Sequence, residues 1–200
     1  MDLPPELNYK ILLDLPILDL ENVCSTSSSA ASFCSDASFW RDRFQREGLL
    51  LPRDENSVFS WILEYKLSRI AQLRERHYSN LLEAGSVIVL DLLRVNDVSI
   101  LPDFLDKAEL ARIRDKKALQ KNLGLFPRKM LLLNREGEIK LDLYKGQQIK
   151  LTQEQARVLL YIFCYYELDP LTARENKTYR VPQGQLKEIG LLYHGPTRLA

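Results

Sequence analysis

The sequence contains few of the residues from which metal sites and disulfide frameworks are built. Its two histidines, His77 and His194, do not lie near a pair of cysteines, so no metal site is expected. The three cysteines, Cys24, Cys34 and Cys164, leave one thiol unpaired under any single disulfide, and none stands in a C-x-x-C spacing. These counts favour a reduced, intracellular protein of the cytoplasm or the nucleus.

Long apolar segments are also missing. The longest runs cover residues 87–93, where Asp91 interrupts the run, and residues 158–166. Both are much shorter than the ~20 residues that a membrane-spanning helix needs. The chain start is acidic and broken by Pro4 and Pro5, which is not the pattern of a signal peptide. We therefore expect no association with a membrane.

Motifs for catalysis and cofactor binding are absent from the sequence. It contains no G-x-S-x-G, no P-loop and no G-x-G-x-x-G. The polar stretch at residues 25–29 suits helix caps and turns better than nucleophiles. We expect a protein that is not an enzyme and that binds no cofactor.

The charges that are present divide unevenly along the chain. Residues 1–56 carry five basic and ten acidic side chains, whereas the remainder carries 23 basic and 17 acidic ones. An acidic beginning argues against a nucleic-acid-binding arm at the N-terminus. The length of 200 residues and the hydrophobic content of 46% allow one large or two small domains with a real core.

The first 48 residues are expected to form a compact helical unit. Pro5 is favoured at the first position of a helix, and the spacing of Leu7, Ile11 and Leu15 places them on one helix face. Pro16 should end that helix. A second short helix is expected to begin near Leu20, with Asp14 or Asp19 as its cap, and a third apolar helix face includes Phe33 and ends towards Trp40 and Phe44.

Longer helices are expected beyond this unit. The spacing of apolar residues predicts a helix from Val58 to His77, with Ser57 as its N-cap. A second helix is predicted over residues 80–94, broken around Gly85, and a third over residues 105–121.

The periodicity then changes to that of strands. Residues 130–133, 138–144 and 149–151 predict a three-stranded antiparallel meander. Thr152 and Gln155 have the spacing of a capping box, which should begin a buried helix over residues 153–166. The chain from about residue 167 is rich in proline and glycine and is expected to be an irregular tail.

The order of residues in the N-terminal unit resembles an F-box. The matching features are Leu3-Pro4 at the start, the first-helix pattern of apolar residues, Val23-Cys24 in the second helix, and the closing aromatic Trp40. The Cys-Ser-Thr form at Cys24 and the later Phe-Trp pair are closest in style to F-box-like proteins of giant DNA viruses.

This resemblance implies a three-helix fold that docks to the Skp-type adaptor of a cullin-RING ubiquitin ligase, as in an SCF complex. The adaptor would be that of the infected cell, in the host cytoplasm, if the viral likeness holds. By the resemblance, the adaptor interface or the core directly beneath it is formed by Leu3, Pro4, Leu7, Ile11, Leu12, Leu20, Val23 and Trp40.

Two other functions stay open at this point. The helical unit could serve only for packing in a structural or virion-associated protein. The basic residues of the predicted helix 107–121 could instead contact nucleic acid, although a solvated helix face is the simpler interpretation.

The prediction is therefore an α+β protein that is mainly α. An F-box at residues 1–48 is followed, at residues 49–200, by helices, the small meander and the buried helix. This second part, with its irregular tail, is expected to hold an unknown target protein for ubiquitin conjugation.

Overall fold

The computed structural model describes residues 4–50, 55, 57–92, 95, 98–115, 129–143 and 147–166. The helices are α1 (Pro5–Asp14), α2 (Ile17–Thr26), α3 (Ser28–Cys34), α4 (Ala37–Arg46), α5 (Val58–Glu83), α6 (Lys107–Asp115) and α7 (Gln153–Tyr166). The strands are β1 (Ile88–Asp91), β2 (Lys129–Arg135), β3 (Glu138–Asp142) and β4 (Gln148–Leu151).

The predicted fold class is confirmed, because the structure is mainly helical and contains one antiparallel sheet. Short helices at the N-terminus precede the long helix α5, and α7 packs on α5. The chain divides into two compact units after Ile70. The first unit therefore continues beyond the predicted F-box boundary at residue 48 and takes in the first half of α5, while the boundary itself stays a prediction.

Among the described residues before α5, the first unit contains four short helices where the sequence predicted three. The additional break lies between α3 and α4, where the Asp36 carboxylate accepts a hydrogen bond from Ser38 N at 2.8 Å and so caps α4. The expected cap of α2 is also different. Pro16 occupies the N-cap position, Asp19 lies in the first turn, and Asp14 instead pairs with Arg46.

The cysteines of this unit differ from the sequence-based expectation of reduced thiols. Cys24 on α2 and Cys34 on α3 are joined in a disulfide, with their Cα atoms 6.1 Å apart. Both side chains are buried. Packing of α2 against α3 places the two cysteines at a separation that a disulfide can bridge without backbone movement, and sequence spacing could not reveal that packing.

The second unit is built on a four-stranded antiparallel sheet with the order β1-β2-β3-β4. The sequence predicted three of these strands and assigned residues 80–94 to a helix. In the structure α5 continues to Glu83, and Gly85 follows with a φ of +82°. Glycine adopts this backbone conformation without steric cost, so the helix ends there and the chain can enter β1.

One face of the sheet lines the core of the second unit. Ile88, Leu90, Met130, Leu132 and Leu141 are buried on this face, and their neighbours along the strands are more exposed except for Leu133, which is buried as well. The predicted capping box begins α7 and is confirmed. Gln155 N donates to Thr152 Oγ1 at 3.1 Å, and Thr152 N donates to Gln155 Oε1 at 2.8 Å. The apolar end of α7, residues 159–166, is buried, as the sequence predicted.

Two further predictions concern the helix boundaries. Ser57 caps α5, because its Oγ accepts from Ser60 N at 3.1 Å, and the helix then runs six residues beyond its predicted end at His77. The predicted helix over residues 105–121 is observed as α6, and residues 116–121 lie outside the described residues, as does the predicted tail from residue 167. None of the helices in the described ranges has the length and hydropathy required to cross a membrane.

Candidate docking surface

The start of α1 carries the first predicted site residues. Pro4 precedes the helix with φ −52° and ψ 142°, and Pro5 is the first helical residue. The Pro4 carbonyl accepts hydrogen bonds from Leu7 N at 3.0 Å and Asn8 N at 3.1 Å. A proline at the first position costs nothing, since its missing N–H would have no partner inside the helix. Leu3 lies outside the described residues.

The predicted adaptor-binding residues fall into an exposed set and a buried set. Leu7 and Ile11 are 47% and 48% exposed, and Pro4 is exposed as well. Val23 is partly buried and packs against the core. The buried set belongs to the core of the first unit and comprises Leu12, Leu20 and Trp40. Among the described residues, the exposed set lies at the surface, and the buried set packs in the core beneath it.

The exposed residues of α1 form a short apolar stripe, which we call the α1 stripe and define as Leu7 and Ile11. The two side chains lie one turn apart on the same helix face. Leu18 at the start of α2 is a further exposed leucine, at 43%, that the sequence analysis did not select. The sequence could not have identified it, because Ile17 and Leu18 are adjacent apolar residues and only the structure shows that the first is buried and the second exposed. Singly exposed leucines are common on protein surfaces, so it is the position of Leu7 and Ile11 one turn apart on α1 that makes them a candidate contact.

Trp40 fixes α4 against the rest of the first unit. Its side chain is fully buried, as predicted, and its indole N–H donates to the Cys34 carbonyl at 2.8 Å. Its ring lies parallel to that of Trp61, with centroids 6.1 Å apart, and meets the edge of Phe39 at 5.4 Å. Trp40 therefore supports the surface from beneath, and burial leaves its ring no access to a partner.

Arg43 on α4 closes the C-terminal end of α1, and sequence reasoning did not select it. Its Nη1 donates to the carbonyls of Leu12 at 3.2 Å and Leu13 at 3.3 Å, and its Nη2 donates to that of Leu15 at 2.8 Å. The last carbonyls of a helix have no partner within the helix, and a cation suits the negative end of the helix dipole. The guanidinium thereby ties the end of α1 to α4.

The buried guanidinium of Arg43 has two further neighbours. Its central carbon lies 4.8 Å from the centre of the Tyr65 ring, and its Nε lies 3.6 Å from Glu47 Oε1. The Tyr65 hydroxyl donates to Glu47 at 2.6 Å. Burial, assisted by the hydrogen bond to Glu47, raises the pKa of Tyr65. The aromatic face and the carboxylate offset part of the cost of burying this cation, although its Nε makes no hydrogen bond to the described residues.

Tyr9 is a second tie between α1 and α4. Its hydroxyl donates to Asp42 Oδ2 at 2.7 Å, and its ring meets the edges of Phe33 at 5.7 Å and Phe39 at 5.6 Å. Burial, together with the Asp42 carboxylate, raises the pKa of Tyr9 to about 12. Arg43 and Tyr9 together hold α1 in one orientation, which fixes where the α1 stripe points.

Among the basic side chains of the predicted helix 107–121, the structure describes that of Lys107, so nucleic-acid binding by this helix stays a prediction. Lys107 donates to Asp103 Oδ1 at 2.6 Å and to the Ser99 carbonyl at 2.9 Å. This pairing neutralises part of its charge. Within the described ranges, no three His, Cys, Asp or Glu side chains are grouped so that they could hold a metal ion.

The candidate site is thus an apolar stripe on α1, held from beneath by Tyr9, Trp40 and Arg43. Its chemistry suits contact with an apolar surface of another protein. Comparisons of the chain with models of protein families, with curated proteins and with solved structures found no match.

Proposed function

We propose that the N-terminal helical unit is an F-box that docks to the Skp-type adaptor of a cullin-RING ubiquitin ligase. The observation that carries the proposal is the exposure of the α1 stripe, Leu7 and Ile11, on a unit whose other large apolar side chains mostly form a filled core. The order of Leu3-Pro4, Val23-Cys24 and Phe39-Trp40 along the sequence supports it.

Docking through this stripe is favoured by its exposed apolar area. Burying a leucine or isoleucine side chain that is now about half exposed would gain roughly 1 kcal/mol or more for each residue. The ties of Tyr9 and Arg43 reduce the conformational entropy that α1 would lose on binding. A small number of exposed apolar side chains on a rigid helix is therefore a suitable docking element.

The remainder of the chain, residues 49–200, would hold the target protein. Because the ligase acts in the cytoplasm and the nucleus, the complex would act there, and in the infected cell if the viral likeness holds. The Cys24–Cys34 disulfide is unusual for such a reducing compartment, so the location rests on the ligase and no longer on the cysteines. In this arrangement the protein performs no chemistry itself and works by bringing the target to the ligase.

The test is the double substitution Leu7→Ser and Ile11→Ser, assayed with purified Skp-type adaptor by isothermal titration calorimetry. Both residues are about half exposed, so the variant should fold with little change in melting temperature. We expect adaptor affinity to fall by about tenfold or more, since two apolar contacts are lost.

The matched control is Phe59→Ser, which removes a large apolar side chain of the same unit that is 71% exposed. Adaptor affinity should be unchanged in this variant. Equal affinity for the double variant and the unaltered protein would refute docking through α1. Absence of binding by the unaltered protein would favour the structural or virion-associated role.

A further inference from the structure

The edge strand β4 carries backbone groups that point away from the sheet. Leu143 N donates to the Gln147 carbonyl at 2.7 Å, and the register pairs Leu141 with Ile149. In an antiparallel ladder, residues alternate between pointing their N–H and C=O groups at the neighbouring strand and pointing them away. Ile149 therefore faces β3, whereas Gln148 and Lys150 direct their backbone groups outward. Among the described strands, β3 is the neighbour of β4.

A groove of about 400 Å³ runs beside this edge. Its apolar walls come from the start of α6, the turn before it, the residue after β3, and β4. They are Phe104, Leu105, Leu110, Leu143 and Ile149. The apolar core face of the sheet thus continues past β4 into an open groove. A strand added at β4 would place every second side chain over this groove.

The rim of the groove is acidic. Asp106 and Glu109 both line it, Asp106 as an exposed and Glu109 as a partly buried side chain. Asp106 is held in place because its Oδ1 accepts from Glu109 N at 3.0 Å. The nearest cation of β4, Lys150, is engaged with Glu138 Oε1 at 2.8 Å on the opposite face of the sheet. Asp106 and Glu109 therefore favour a cationic ligand at the rim.

We propose that β4 binds an extended peptide segment of another protein by strand addition. The peptide pairs with the outward backbone groups of Gln148 and Lys150. It places apolar side chains in the groove and an arginine or lysine beside Asp106 and Glu109. Main-chain pairing supplies affinity in this mode of recognition, and the alternate side chains supply specificity. Peptide binding at β4 is independent of the proposed function. The further step, that the bound segment belongs to the ubiquitination target, rests on the proposed function.

The first test uses a fluorescein-labelled peptide with the sequence Arg-Thr-Leu-Thr-Leu-Thr-Arg in a fluorescence-polarisation titration. The leucines and arginines fall on one face of the extended peptide, and the threonines on the other. A matched peptide replaces both arginines by glutamate. We expect the arginine peptide to bind about tenfold more tightly, because like charges at the rim would repel the glutamate peptide.

The protein variant Asp106→Asn with Glu109→Gln should lose this preference, since it removes both charges and keeps an Asn that can still cap α6. Glu154→Gln, which removes an exposed acid of α7, is the control and should keep it. Retention of the preference in the double variant would overturn the assignment of the rim.

The second test addresses the backbone pairing. N-methylation of the peptide at one alternating set of positions should abolish binding, and N-methylation at the other set should be tolerated, because only one set faces β4. Gln148→Pro should likewise weaken binding, since it removes an outward N–H and leaves the bonds to β3 intact. Equal effects of the two methylated sets would exclude strand addition.

The outcomes separate this inference from the proposed function. No binding of the arginine peptide, or a concentration-dependent dimer that the peptide does not dissociate, would overturn peptide binding at β4. Adaptor binding through α1 should be unaffected in the Asp106→Asn, Glu109→Gln variant. Failure of the adaptor titration alone would leave peptide binding standing and would remove only its role in ubiquitination.

Discussion

Trp40 shows how a single side chain connects the predicted surface to the core. Its ring is buried between Phe39 and Trp61, and its N–H is satisfied by the Cys34 carbonyl. Trp40→Ala should therefore lower the free energy of unfolding by about 3–5 kcal/mol, since a large cavity and an unpaired carbonyl would remain. Chemical denaturation monitored by far-ultraviolet circular dichroism would measure the loss.

The control for this substitution is Phe59→Ala, which also removes an aromatic ring of the first unit but from an exposed position. Its effect should stay within about 0.5 kcal/mol. If Trp40→Ala changed the free energy of unfolding as little as the control does, the packing of α4 described above would be wrong.

Tyr9 makes the stability of the first unit sensitive to alkaline pH. Its pKa is raised to about 12 in the folded protein, above the value of 10.0 for the free side chain. The folded state thus favours the protonated phenol. This contribution to stability is fully present below pH 10 and is lost as the pH rises towards 12.

Tyr9→Phe removes the titrating group. We expect its stability to fall less steeply between pH 10 and pH 12 than that of the unaltered protein, as measured by denaturant titrations across this range. Parallel pH profiles for the two proteins would contradict the role assigned to the Tyr9 hydroxyl.

At the scale of elements, the sequence predicted structure best where local chemistry decides it. The helix stop at Pro16 and the capping box of Thr152 and Gln155 depend on neighbouring residues, and both appear as expected. The periodicity of Leu7 and Ile11 likewise predicted one shared helix face.

The elements that differ depend on contacts between distant residues. β1 is a strand because its four residues pair with the first four residues of β2, which lie some 40 positions further along the chain. Its short apolar run is compatible with the periodicity of a helix and with that of a strand. Arg43 could not be selected as a helix cap from sequence, because the carbonyls that it meets lie on another helix, about 30 positions away.

For the whole molecule, the location of the first core decides what can be removed. Trp61, Ile62 and Tyr65 of α5 are buried in the same core as Trp40 and Phe44. A fragment of residues 1–48 would lack these three side chains, each worth roughly 1.5–3 kcal/mol of burial. We expect residues 1–70 to unfold cooperatively on heating and residues 1–48 to show no cooperative transition, as followed by circular dichroism.

This expectation changes the design of a deletion experiment. Removing residues 1–48 from the full chain would expose Trp61 and Tyr65, so loss of adaptor binding in that variant would not separate docking from folding. The Leu7→Ser, Ile11→Ser protein avoids this ambiguity. A cooperative transition in residues 1–48 alone would show that the helices before residue 49 are an independent folding unit.

Arg43 also has a consequence for the order of folding. The carbonyls that it binds precede it by 28 to 31 residues, so closing these bonds requires a loop that contains α2 and α3. The last turn of α1 gains its final partners only when α4 has docked, and the entropy of that loop closure is lost in the same step. The C-terminal turn of α1 should therefore form late in folding. Its amide hydrogens should exchange when α4 undocks, and not through fraying of the helix end alone.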